Sequence, residues 1–187
     1  GHDSLTGGDD IDLIEGGDGD DQITAGGGDD VVAAGDGNDT IWGGDGNDVL
    51  AGGDGNDEIH AGHGSDSVDG GAGDDTIHTS FNASSTFEGG AGDDMVVIDT
   101  TAALVVDLAA GSATDPATGN VITLSGIEHV TSGAGADSIV GSAVANELRG
   151  EDGADTILGG SGDDSLYGGD GDDVLEGGAG DDVIDDG

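Results

Sequence analysis

Nine residues is the period of this chain, and it constrains the fold before any other property does. Gly43-Gly44-Asp45-Gly46-Asn47-Asp48-Val49-Leu50-Ala51 is one unit, and alignment in nines gives sixteen frames, counting a truncated first one. The sixth place holds Asp3, Asp12, Asp21, Asp30, Asp39, Asp48, Asp57, Asp66, Asp75, Asp94, Asp137, Asn146, Asp155, Asp164, Asp173 and Asp182. The eighth place holds only Leu, Ile or Val, from Leu5 to Ile184. A frame this short cannot enclose a core. Its apolar place is buried only when frames stack on one another, as in a solenoid.

Glycines at places one, two and four permit positive backbone angles and close approach of peptide groups. The first six places are therefore expected to turn and the last three to form a strand. In that strand place eight faces inward, and places seven and nine face outward. Two frames complete a coil of eighteen residues, which stacks alternate frames. Ile23, Ile41, Ile59 and Ile77 then form one inner ladder, and Ile14, Val32, Leu50 and Val68 the facing one. Asp21, Asp39, Asp57 and Asp75 line one edge of the stack, and Asp12, Asp30, Asp48 and Asp66 the other.

The frames run unbroken from Gly7 to His78. Residues 79–88 then contain one residue too many. With a one-residue bulge, Phe87 falls at the inward place while Ser84 or Ser85 replaces the aspartate. Residues 89–97 restore the pattern and residues 98–131 leave it. This spacer holds two strand-like runs, Leu104–Leu108 and Val121–Leu124, around the turn-rich segment Asp115–Asn120, and is either a hairpin or a wider turn of the same solenoid. The period returns at Ser132 and holds through Asp185, with one weak frame carrying Val144 and Asn146. No low-complexity linker intervenes, so one elongated domain is expected over 1–187. Its repeat blocks are 1–97 and 132–187, with the spacer at 98–131.

Charge narrows the function. There are 43 acidic residues, and Arg149 is the single cation among lysine and arginine, for a formal net charge of -42. Nothing here can displace counterions from a nucleic-acid backbone, and a phosphate-binding loop lacks its lysine. Low hydrophobicity with high net charge favours disorder, so a compact state requires cations. With no cysteine, neither disulfides nor thiolate metal sites contribute. No apolar run approaches the roughly 20 residues of a membrane-spanning helix, so membrane insertion is not expected. The N-terminus lacks the basic and apolar regions of a signal peptide. Gly1 enters mid-frame, as expected of a piece of a longer chain.

Stacked strands lie about 4.8 Å apart, so aspartates on one edge repel strongly unless a divalent cation sits between them. Carboxylates and glycine-turn carbonyls offer oxygen ligands only, which suits calcium better than magnesium. Zinc and copper prefer histidine or cysteine. An EF-hand reading of Asp36–Thr40 fails, because Ile41 stands where its glycine belongs.

This pattern resembles the glycine- and aspartate-rich repeats of the RTX (repeats-in-toxin) proteins, and the likeness covers nearly all of the chain. Val106–Gly111 together with Leu124–Val130 also resembles a spacer that recurs in them. The resemblance implies an all-β fold, a right-handed parallel β-roll with two nonapeptides per coil and calcium held between turns. It also implies export in the unfolded state by a type I exporter, with folding on extracellular calcium. About ten ions, each adding about 2.7 kcal/mol at a hundredfold excess over its Kd, would stabilise the roll.

No catalytic constellation is present: neither His-Glu-x-x-His nor Gly-x-Ser-x-Gly occurs. The leading reading is a calcium-dependent structural module of a secreted bacterial protein. The alternatives are a calcium-stabilised adhesin segment and the C-terminal module of a secreted hydrolase whose catalytic domain lies upstream. Self-association, end to end or lateral, is left open. Trp42, His60 and His78 share the outward ninth place at eighteen-residue spacing. A plain exposed ladder is the simpler reading of that row, with a sugar- or metal-binding stripe as the sharper one. His2, His63 and His129 are read as surface residues.

Overall fold

The computed structural model describes residues 1–187 and contains strands but no helix. The first block supplies β1 (Ser4–Gly8), β2 (Leu13–Asp18), β3 (Gln22–Gly27), β4 (Val31–Asp36), β5 (Thr40–Asp45), β6 (Val49–Asp54), β7 (Glu58–His63), β8 (Ser67–Ala72), β9 (Thr76–Thr79), β10 (Ser85–Ala91) and β11 (Met95–Ile98). The spacer supplies β12 (Val105–Asp107), β13 (Ser112–Thr114), β14 (Val121–Ser125) and β15 (His129–Thr131). The second block supplies β16 (Ser138–Val140), β17 (Glu147–Asp152), β18 (Thr156–Ser161), β19 (Ser165–Asp170), β20 (Val174–Ala179) and β21 (Val183–Asp185).

Within the repeat blocks, successive strands alternate between two parallel sheets. One has 10 strands in the order β1-β3-β5-β7-β9-β11-β15-β17-β19-β21. The other has 11, in the order β2-β4-β6-β8-β10-β14-β13-β12-β16-β18-β20. The eighteen-residue offset sets the register: Ile23 pairs with Ile41, Ile41 with Ile59, and Ile59 with Ile77. Across the core, Ile14 pairs with Val32, Val32 with Leu50, and Leu50 with Val68. Both inner ladders are those the period requires, and the structure is a parallel β-solenoid of about ten turns.

The strands are longer than the three residues expected. Most span six, from place seven of one frame to place three of the next, so that β5 runs from Thr40 to Asp45. Two local features extend them. Place one also faces the core, where Ala25, Ala34 and Ala61 are buried. At place two, Gly44 (φ +106°) takes a conformation that L side chains rarely adopt while staying in register with Gly26 and Gly62. A Cβ there would lie against the Gly26 carbonyl oxygen. Glycine at place two thus bends the strand without ending the ladder, and the true turn shrinks to places four to six.

The bulge falls where the count requires. Pairing shifts from an offset of eighteen to nineteen at Thr86–Ser67 and Phe87–Val68. Phe87 is fully buried, and Ser85 stands at the aspartate position. Phe81, which the period did not mark, is also buried and has a positive φ of 55°.

The spacer is neither a simple hairpin nor a plain wider turn. The runs at 104–108 and 121–124 contribute β12 and β14, but these do not pair with each other. The unforeseen strand β13 lies between them, antiparallel to both. Since β14 stacks parallel on β10 and β12 parallel on β16, the meander is built into the sheet. The 11-stranded sheet therefore takes three steps from β14 to β16, where the other sheet takes one from β15 to β17. At about 4.8 Å per step, two extra strands lengthen one sheet by roughly 10 Å. On the flank, the Ala134 and Ser138 N–H groups donate to the Thr100 and Leu104 carbonyls at 2.8 and 2.9 Å. The β13–β14 turn is closed by Asp115, which accepts from the Thr118 hydroxyl and the Ala117 N–H, both at 2.7 Å. These bonds hold its pKa below the ordinary carboxylate value.

Candidate metal centre

Every sixth-place residue ends a turn, immediately before a strand. On one edge the N–H of each donates to Oδ1 of the next coil's: Asp21 to Asp39 (2.7 Å), Asp39 to Asp57, Asp57 to Asp75 and Asp75 to Asp94 (2.8 Å each). On the other edge Asp12 donates to Asp30 (2.8 Å), Asp30 to Asp48 (2.9 Å) and Asp48 to Asp66 (3.0 Å). In the second block the same bond joins Asp137 to Asp155, Asp155 to Asp173, Asn146 to Asp164 and Asp164 to Asp182. Asp3 begins the first edge at an exposed position, donating to Asp21 Oδ1.

In ten of these carboxylates one oxygen is satisfied and the other is not. Oδ2 of Asp21, Asp30, Asp39, Asp48, Asp57, Asp75, Asp94, Asp155, Asp164 and Asp173 is buried without a hydrogen-bond partner. Buried polar atoms are nearly always paired, and a buried carboxylate without a counter-charge is costly. In the metal-free chain burial raises the pKa of Asp57 to about 6, with the charge of Asp39 adding and the Asp39 N–H opposing. Burial likewise lifts Asp66 to about 6 and Asp75 to about 7, the latter helped by Asp57, Asp94 and Asp74. Asp39, Asp48, Asp94, Asp137 and Asp155 move in the same direction, burial again coming first.

Three positions break the pattern. Ser85 replaces an aspartate, its Oγ accepting from Asp66 N–H at 3.0 Å, and Ile122 of β14 follows it in register. Asp137 has both oxygens engaged, Oδ1 by the Leu104 N–H (2.7 Å) and Oδ2 by the Ser132 hydroxyl (2.6 Å). Asn146 accepts from the Ser142 N–H (2.6 Å) and donates through Nδ2 to the Glu128 carbonyl (2.7 Å).

Glu128 is the residue the period missed. Its Oε2 accepts from Asp94 N–H at 3.0 Å, the bond an aspartate makes elsewhere on this edge. Val130 pairs with Val96 and Leu148, so Glu128, two residues earlier, occupies the sixth place. One edge thus stays polar through Asp94, Glu128 and Asn146, while the other is interrupted by Ser85, Ile122 and Leu104.

The fifth place forms a further ladder of opposite sense. Asn47 N–H donates to Asp29 Oδ1 (2.8 Å) and Asn56 N–H to Asn38 Oδ1 (2.8 Å), each from the later coil to the earlier. These two turns are held from both sides, since the Asp48 and Asp57 N–H groups donate onward to Asp66 and Asp75. Of the histidines read as surface, His2 and His63 are exposed, whereas His129 is half-buried and accepts from Glu147 N–H at 2.9 Å.

A two-sheet solenoid whose edges carry rows of buried, half-satisfied carboxylates offers those edges to cations that prefer oxygen ligands. The sequence signature of the RTX calcium-binding nonapeptide repeat (4 copies) matches residues 6–41, 24–59, 42–77, 122–143 and 149–184. These matches span more than half of the chain, which belongs to that family and is a calcium-binding β-roll module. No curated protein matches it in sequence.

Proposed function

We propose that this chain is the calcium-triggered structural module of a secreted protein, and that its sixth-place carboxylates are the ligands. The observation that carries this reading is the set of ten unpartnered, buried Oδ2 atoms. Where place one is glycine, such an oxygen and a next-coil carbonyl border the same point: a Cβ added at Gly43 would meet both Asp48 Oδ2 and Ala61 O, and one at Gly52 both Asp57 Oδ2 and Gly70 O. All the donors are oxygens, the set a hard cation with six or more ligands prefers. Bound calcium supplies the positive charge that neighbouring coils need in order to stack. Asp3, Asp12, Asp66, Asp137 and Asp182 extend the same rows, and Glu128 continues one of them past the spacer.

The family relationship supports the wider setting. Extracellular calcium modules bind at roughly 10⁻⁴–10⁻³ M, so a chain of this kind stays open inside the cell, passes through a type I exporter unfolded and closes outside. About ten bound ions, one for each orphaned oxygen on average, suffice at about 2.7 kcal/mol each for a hundredfold excess. Both sheets run through the spacer without interruption, which supports treating residues 1–187 as one elongated unit.

The test is far-ultraviolet circular dichroism during a calcium titration, with magnesium as control. A cooperative gain of β signal with calcium and little with magnesium is expected. Unchanged β structure and melting temperature after chelation would overturn the reading.

A further inference from the structure

A second kind of site stands on the outer face of the 10-stranded sheet, away from the carboxylate edges. Glu58 and His60 lie two apart on β7, so both point outward, and His78 on β9 pairs in register with His60. Glu58 Oε1 is 3.0 Å from His60 Nε2 and 3.7 Å from His78 Nε2. One ligand atom from each of the three side chains lies within 4.8 Å of the others. The imidazoles are stacked at 4.5 Å with 15° between planes, and Trp42 covers the far face of His60 at 5.6 Å and 5°. An open groove of about 430 Å³, with Asp99 on its wall, borders both imidazoles.

We infer that Glu58, His60 and His78 form a binding site for one divalent transition-metal ion of the copper or zinc type. Two imidazole nitrogens and a carboxylate are the donor set such ions select, and calcium does not favour nitrogen. Ligands around a tetrahedral ion with bonds of about 2.0–2.2 Å stand roughly 3.4 Å apart. The two Glu58–imidazole separations bracket that value, and closure requires the stacked imidazoles to rotate so that both ring nitrogens point at one ion. Both strands are fixed by the sheet, and Trp42 limits the tilt of His60. With three protein ligands the remaining coordination position faces the groove. The ion would tie adjacent coils together on the face, independently of the calcium rows on the edges.

Trp42 is the only tryptophan, which makes it the reporter. In the calcium-saturated chain, copper(II) is expected to quench its fluorescence with a break at one ion per chain. Zinc should compete for the site, and excess calcium or magnesium should not. His78→Gln and Glu58→Gln should each weaken the response by about tenfold or more, while His2→Ala and His129→Ala leave it intact. Circular dichroism at saturating calcium separately reports whether each variant has formed the roll, so this result does not depend on the calcium titration. No quenching at one equivalent, or quenching undiminished in a folded His78→Gln or Glu58→Gln chain, would overturn the assignment.

Discussion

At the scale of single residues, the sixth-place aspartate makes two opposed demands. The position needs a carboxylate or amide Oδ1 to accept the neighbouring coil's N–H, and the second carboxylate oxygen, left without a donor, calls for a cation. Asp57→Asn keeps the acceptor for Asp39 N–H and removes the charge. The expected outcome is a calcium midpoint raised by about tenfold, equivalent to about 1.4 kcal/mol, read by circular dichroism, with little change from His60→Ala. The pKa values give a second prediction. Asp57, Asp66 and Asp75 are raised from 3.8 to about 6, 6 and 7 in the folded, metal-free chain. A raised folded pKa favours the fold while the group is protonated, and that contribution is lost as pH climbs through the folded value. Chelated protein should therefore hold more β signal near pH 4 than at pH 7.5. Calcium must displace these protons, so its midpoint concentration should fall as pH rises from about 5.5 to 7.5.

At the scale of elements, the strand–turn unit depends on backbone that only glycine tolerates without strain. Gly44→Ala places a Cβ against the Gly26 carbonyl at a φ of +106°, and should destabilise the calcium-loaded roll by more than about 1 kcal/mol, seen as a lowered melting temperature. The spacer depends on packing instead. Ile122 is fully buried on β14, between Ser85 and Ala113 in register. Ile122→Ala should cost about 2–5 kcal/mol. Because β14 joins the meander to the first block, melting of this variant at saturating calcium should separate into two steps.

At the scale of the whole molecule, the dominant quantity is a net charge of -42 carried on a core of 25 buried apolar residues. Self-repulsion of that size is relieved by bound cations far more than by screening, because the carboxylates involved are buried. The melting temperature should rise steadily with the logarithm of calcium concentration, whereas added sodium chloride without calcium should not restore the β signal. The two edges are unequal, since one continues through Glu128 and Asn146 while the other is plugged by Ser85, Ile122 and Leu104. Glu128→Ala should therefore weaken the coupling between blocks, measured as a broader calcium transition.

The sequence by itself determined the coil, both inner ladders and the rows of acid on each edge. A period of nine carries its own register: every residue's partner lies eighteen positions away, whatever the rest of the chain does. It also marked the bulge, because an extra residue must shift that offset by one. Tertiary structure alone decided what the period could not address. Residues 98–131 have no repeat to fix their partners, so the order β14-β13-β12 came from the need to pair buried backbone and cover apolar faces. Glu128 entered the aspartate row through that closure, and Phe81 entered the core within the ten-residue frame, which the period does not describe either. Glu58 met His78 because side chains on neighbouring strands lean toward one another across the sheet, a geometry that depends on rotamers and local packing and leaves no trace in the spacing.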